Sequence, residues 1–105
     1  MRLRANKKIQ KEFVKYKRKV MRHYSKEQLW KESTRISFYQ CISEYFEYQN
    51  YIAEGYLSLV LSVDSPIAAL WQAYLQEECL GFYTFDEIEQ LLERILLSWN
   101  LPMAS

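Results

Sequence analysis

Tyr56-Leu57-Ser58-Leu59-Val60-Leu61-Ser62-Val63 admits two readings, and the choice between them decides the fold class. Leu57, Leu59, Leu61 and Val63 alternate as a half-buried strand would, whereas Ile52, Tyr56, Leu59, Val60 and Val63 recur at the spacing of one helix face. A strand needs a neighbour to pair with, and no second strand-like run occurs in the chain, so the helical reading prevails. Only two glycines and two prolines are present, which also argues for helices joined by short connections rather than strands joined by many turns.

Downstream of this segment, Asp64-Ser65-Pro66 predicts a helix start, with Ser65 as N-cap and Pro66 at the first helical position, where a missing N–H costs nothing. The helix runs to about Glu78 with Ile67, Leu70, Trp71 and Tyr74 turned inward, and Gly81 stands just past its end as a stop signal. Thr84-Phe85-Asp86-Glu87 is a capping box opening a last helix, in which Ile88, Leu91, Leu92, Ile95, Leu96 and Trp99 form a broad apolar face. Leu101-Pro102 is read as its end, followed by a loose tail over 101–105.

Upstream, Ser25 followed by Lys26-Glu27-Gln28 is a second capping box and starts a helix near Lys26. Its apolar residues drift from Leu29 and Ile36 round to Phe38, Ile42, Tyr45 and Phe46. That helix must therefore be contacted on several sides or change axis partway, with a bend or break expected within 50–55. From about Ala5 to His23, Ile9, Phe13, Tyr16 and Val20 recur at intervals of four, three and four, the stripe of an amphipathic helix. At 105 residues the chain suits one domain with one core. The expectation is an all-α, compact bundle of four to five helices: a basic N-terminal helix over 1–24, an aromatic-rich helical core over 25–100, and the tail. Nine tyrosines, five phenylalanines and three tryptophans supply the large rings that fill such a core.

A formal net charge of +1 hides a division of charge along the chain. Residues 1–35 carry thirteen Lys or Arg against three Glu, and residues 36–105 carry Arg94 alone against ten acidic residues. On the first helix Arg4, Lys7, Lys8, Lys11, Lys15, Arg18 and Arg22 share the face opposite the apolar stripe, with Lys17 and Lys19 on the flanks. Glu12 is the lone acid of that helix, so like charges repel along it and something outside the helix must compensate. Three compensators suggest themselves. Nucleic-acid phosphates would use these cations as sequence-independent positioning contacts. A protein partner would present an acidic site. The acidic remainder of the chain would neutralise them internally or across a homodimer.

Little in the sequence suits catalysis. His23 is the only histidine, at the end of the basic helix, where it favours the helix dipole. Cys41 and Cys79 stand apart, without the spacing of a metal or redox pair and with no secretory leader before them, and read as reduced cytosolic thiols. No metal ligand set, cofactor motif or glycine-rich phosphate loop is evident, and the longest apolar-rich stretch is too short to span a bilayer. No helix-turn-helix is evident either: the boundary over 23–26 lacks a glycine turn, and the helix beyond it is rich in bulky aromatics. Tyr16 and Tyr24 could stack on bases, but Tyr16 lies on the apolar stripe and reads as core.

One resemblance adds to this reading. Ser25-Lys26-Glu27-Gln28-Leu29-Trp30, then Ser65-Pro66-Ile67-Ala68-Ala69-Leu70-Trp71-Gln72-Ala73-Tyr74-Leu75-Gln76-Glu77-Glu78, then Ile88-Glu89-Gln90-Leu91-Leu92-Glu93-Arg94-Ile95 resemble a family of short uncharacterised helical bacterial proteins, a domain of unknown function met on conjugative or phage-like elements. The resemblance covers about two thirds of the chain, rests on helix caps and core positions, and implies a mobile-element accessory protein with no catalytic residue to transfer. The combined expectation is a cytoplasmic, non-catalytic binding protein that engages nucleic acid or a nucleoprotein through its basic first helix. The alternative is a phage-type inhibitor or adaptor, anti-CRISPR-like, that acts by contact with a host protein.

Overall fold

A computed structural model describes residues 1–77 and 81–104, with 99–104 described as backbone only. The described residues form six helices: α1 Arg2–His23, α2 Lys26–Lys31, α3 Ser33–Tyr48, α4 Glu54–Ser62, α5 Pro66–Gln76 and α6 Phe85–Ala104. The described residues include no strand, and the segment 56–63 lies mostly in α4. The fold is all-α, as expected, with one helix more than the sequence reading allowed.

The extra helix arises at Glu32. Its backbone (φ −96°, ψ 9°) sits in the bridge region between α and β and separates α2 from α3. The drifting apolar pattern explains the break. A straight helix from Lys26 would point Phe38, Ile42 and Phe46 away from the core, whereas a change of axis lets α3 bury Phe38, Tyr39, Ile42, Ser43, Tyr45 and Phe46. α2 itself buries nothing. Its start is fixed by the expected capping box: Gln28 N donates to Ser25 Oγ (3.2 Å) and Ser25 N donates to Gln28 Oε1 (2.8 Å). The expected break over 50–55 spans only 49–53, because Gly55 belongs to the first turn of α4.

α3 lies at the centre and packs on α1, α2, α5 and α6. α1 packs on α3, α4 and α5, and α6 packs on the same three. The core is aromatic: Phe38 meets Trp71, Tyr74 and Phe82 with ring centroids 5.2 to 5.4 Å apart, and Tyr45 meets Phe46 and Phe85 edge-on. Such offset and T-shaped pairs satisfy the ring quadrupoles while filling volume. Gly55 lets α4 approach α6, since a Cβ there would lie 3.0 Å from Leu96 Cδ2.

The last helix opens as expected, with Glu87 N donating to Thr84 Oγ1 (3.2 Å) and Thr84 N donating to Glu87 Oε1 (3.0 Å). Its far end differs. The helical backbone continues through Leu101-Pro102 to Ala104, where the sequence reading ended it and placed a tail. Proline forfeits one N–H, yet its fixed φ near about −65° is itself helical. α5 ends at Gln76, two residues before the expected Glu78, and no described glycine has a positive φ, so Gly81 does not adopt the left-handed conformation common at helix ends. Glu78, Cys79 and the Trp99 side chain lie outside the described residues.

Candidate functional site

α1 has 22 residues, about 33 Å of helix at 1.5 Å per residue, and its buried stripe of Ala5, Ile9 and Val20, with Phe13 and Tyr16 partly buried beside it, faces the core. Arg4, Lys7, Lys11, Lys15, Arg18 and Arg22 are exposed on the opposite face, with Lys17 and Lys19 exposed on either side of it. Six of the seven expected site residues are therefore brought together on one solvent-facing surface. An open depression lined by Gln10, Lys11, Val14, Lys15 and Arg18 lies along its middle.

The seventh, Lys8, is diverted. Its Nζ donates to Leu61 O (3.2 Å) and, in a closer contact, to Val63 O, where α4 runs out of partners for its last carbonyls. It is a half-buried structural cation at a helix C-terminus, where both the free carbonyls and the dipole favour positive charge. Lys8 is thus withdrawn from the binding set.

Two other charges of α1 do the same kind of work. Arg2 donates through its guanidinium to Asn50 O (2.8 Å) and to Gln49 O, just past the end of α3. Glu12 accepts from Ile67 N (2.8 Å) and Ala68 N (3.0 Å) at the start of α5. Ser65 makes no side-chain cap there, so the cap expected from the local sequence is supplied by α1 instead. Pro66 has no N–H and Ser65 O accepts from Ala69 N (3.0 Å), so Glu12 satisfies the whole first turn of α5. Burial pushes the Glu12 carboxyl above the ordinary value, against the two backbone donors and Lys8, which pull it down. Gln10 adds a polar clasp to α3, donating to Ser43 O (2.9 Å) and accepting from Ser43 Oγ (2.7 Å).

A positional signal for these roles was present in the sequence. Arg2 stands seven residues before Ile9, on the apolar stripe itself, and Glu12 stands four before Tyr16 on its border. Charged residues on a core-facing stripe are the ones to suspect of capping. The spacing rule that collected Lys8 with the free face could not know that the end of α4 would lie beside it.

The exposed cations are not neutralised internally. Among the described residues the ion pairs within 4.0 Å are Lys31–Glu27, Arg35–Glu32 and Arg94–Glu77, none of which involves α1. Glu12 is committed to α5, and Asp64, which lines a depression with Lys11, Glu12 and Lys15, forms no ion pair within 4.0 Å. Glu89 on α6 is likewise occupied, accepting from the Tyr45 hydroxyl (2.8 Å) and from Gln49 Nε2 (3.4 Å).

Tyr16 is not available for base stacking. Its ring lies on that of Tyr39 with centroids 3.9 Å apart, and the Arg35 guanidinium sits 5.7 and 5.8 Å from the two ring centres. Burial pushes its phenol up to about 12. Tyr24 is half-buried, and it is Trp30, not singled out by spacing, that is 83% exposed. His23 is exposed at the end of α1, and Cys41 is a free, half-buried thiol on α3 whose pKa is raised by burial, which disfavours the reactive thiolate. Among the described residues, no group of three or more His, Cys, Asp or Glu is arranged to hold a metal ion, and no helix is long and apolar enough to cross a membrane.

No protein-family model, no curated protein and no solved structure matches this chain.

Proposed function

We propose that this protein is a non-catalytic binding factor that engages the phosphates of nucleic acid, or of a nucleoprotein, through the exposed face of α1. The resemblance of residues 25–93 to mobile-element proteins makes an accessory factor of such an element the setting we favour. The observation that carries the reading is the six-cation face: Arg4, Lys7, Lys11, Lys15, Arg18 and Arg22 are exposed on one helix, and no acid lies within 4.0 Å of any of them among the described residues. Polar ties to the ends of three other helices hold that face in a fixed orientation. Fixed cations displace condensed counterions without first having to be ordered, so the contact is electrostatic and independent of base sequence.

The test is fluorescence anisotropy with duplex and single-stranded DNA and RNA at about 50 and 200 mM salt. Six phosphate contacts predict an affinity loss of about 10³ over that range. The triple change Lys11→Glu, Lys15→Glu, Arg18→Glu is expected to abolish binding, and Glu93→Lys to leave it intact. Glu89→Lys is not a neutral control, because it removes the acceptor of Tyr45. Absence of binding at the lower salt would overturn the proposal.

A second reading has its own observation. Leu3 (69% exposed), Val14 (43%) and Met21 (75%) line one flank of the cationic face, apolar surface that phosphates do not need. A partner protein with an acidic groove and an apolar wall would use both, as the inhibitor or adaptor alternative requires. In that case the charge reversals and Leu3→Ser, Met21→Ser would disrupt the same protein complex, with no nucleic acid bound.

A further inference from the structure

Trp30 is the most exposed of the large apolar side chains among the described residues, at 83%, and it stands on a helix that buries no residue. An indole turned to water presents a large, flat apolar face with a polar N–H edge that a ligand can cover. Nothing in the core needs α2, yet its first turn is locked by the reciprocal Ser25–Gln28 cap. The capped start, and the axis change at Glu32, therefore hold the ring outward rather than let it fold onto α3.

Two lysines flank that ring, with Glu27 beside one of them. Lys26 lies four residues earlier on the same face of α2, and Lys31 follows directly, paired only with Glu27 at 3.8 Å in a largely exposed bridge. α1 ends at His23, so only Tyr24 and Ser25 separate α2 from the basic helix. The cations from Arg4 to Arg22 cover about 27 Å of helix, and Trp30 stands about one helical turn into the element that follows.

We propose that Trp30 is a stacking platform for an unpaired base, so that the protein prefers single-stranded over duplex nucleic acid. The inference rests on the reading of α1 as a phosphate-binding face and adds the substrate class to it. Cations on one helix followed in the chain by an exposed aromatic ring supply the two elements by which single strands are held: charge tracks the backbone, and the ring takes a base face that a duplex keeps stacked within itself. Phosphate contacts alone do not distinguish the two forms. Trp30 supplies the distinction.

The experiment titrates the full chain and its Trp30→Ala and Trp30→Phe variants with labelled oligothymidylate and with its duplex on oligodeoxyadenylate, each at two salt concentrations. Far-ultraviolet circular dichroism confirms that the variants fold. The wild type is expected to favour the single strand. Trp30→Ala should lower affinity for oligothymidylate about tenfold, the effect of losing one base–aromatic stack, while duplex affinity and both salt slopes stay unchanged. Trp30→Phe should keep most of the single-strand affinity and lose the indole fluorescence quenched by the oligonucleotide. If both forms bind with steep salt dependence and Trp30→Ala changes neither or both equally, the stacking inference is wrong and the phosphate reading survives. If neither form binds, both readings fall. Loss of binding to phosphatidylserine vesicles in Trp30→Ala, with oligothymidylate affinity unchanged, would assign the ring to a membrane surface instead.

Discussion

Replacing Glu12 by Ala should destabilise the protein by about 2 kcal/mol without weakening any contact to a polyanion. The reasoning follows the donors. α5 begins at a proline, so its first turn presents only the N–H groups of Ile67 and Ala68, and both end on the Glu12 carboxylate at 2.8 and 3.0 Å. Ile67 is fully buried, so water does not replace the lost acceptor at its amide without some opening of the turn. A buried donor left unsatisfied costs about 1–3 kcal/mol, and loss of a helix cap costs about 0.5–2 kcal/mol; two partly shielded donors place the sum near 2 kcal/mol. In a domain of this size that corresponds to a fall in Tm of about 10 °C. Glu12→Gln keeps one carbonyl acceptor and should lose about half as much. Amide exchange should quicken first at Ile67 and Ala68. A loss below about 0.5 kcal/mol, the size of an ordinary surface substitution, would refute the assignment of Glu12 as the cap of α5. The pH profile offers a second arm. Because burial raises the folded carboxyl above the ordinary 4.5, the folded chain holds the proton to higher pH than the unfolded one. The proton-linked increment of stability, distinct from the cap itself, is then fully present below 4.5 and is lost as pH rises through the raised value, and Glu12→Gln should flatten that slope in urea melts.

Lys8→Ala and Lys11→Ala should separate along the line drawn by their contacts: the first lowers stability by about 1 kcal/mol with an unchanged salt slope for nucleic-acid binding, and the second leaves the melt alone and reduces the slope by about 0.9. Equal effects in the two assays would mean that Lys8 is not held by α4. Tyr45→Phe should cost about 1 kcal/mol, because the buried hydroxyl donates to Glu89 at 2.8 Å; chemical denaturation with an unchanged m-value checks it, and a neutral result would mean the bond is not maintained in solution. Ile9→Ala, which empties a fully buried position on the core side of α1, should cost about 2–5 kcal/mol by the same measurement, and a cost near zero would show that α1 is not docked on the core.

Helices were legible where the sequence carried their stop and start signals. Ser25 and Thr84 mark real boundaries because their caps are local chemistry between residues three apart, and Pro66 marks one because its fixed φ suits a first helical turn. The apolar stripes of α1, α5 and α6 were equally plain, since each faces the core with one side. α3 was the exception. It is buried on two sides, so its apolar residues have no single direction, and the break at Glu32 that aims them follows from where α1, α5 and α6 lie. For the candidate site the cationic face was readable from periodicity, and Lys8 was misassigned to it because helix spacing says which residues share a side but not what lies opposite. The capping roles of Arg2, Lys8 and Glu12 join residues 47 to 56 positions apart, beyond any local pattern. Nothing local marks Trp30 as a surface feature, because its exposure depends on the axis change at Glu32.

The two kinds of charge on α1 explain how a helix with so many like charges keeps its place. Eight exposed cations, Arg4, Lys7, Lys11, Lys15, Lys17, Arg18, Lys19 and Arg22, repel one another and weaken the helix where solvent screens them least. The buried side offsets this with Ala5, Ile9 and Val20, and with three charged side chains that reach the unpaired ends of α3, α4 and α5. Those ties cross the boundary between the helix and the rest of the fold, so α1 cannot leave without exposing donors and acceptors on three other helices at once. A polyanion that binds the outer face would relieve the repulsion in the folded state alone, and by mass action would add stability in proportion to the logarithm of its concentration. The outward cations are thus a cost in the free protein, one that a bound polyanion of the kind proposed would offset.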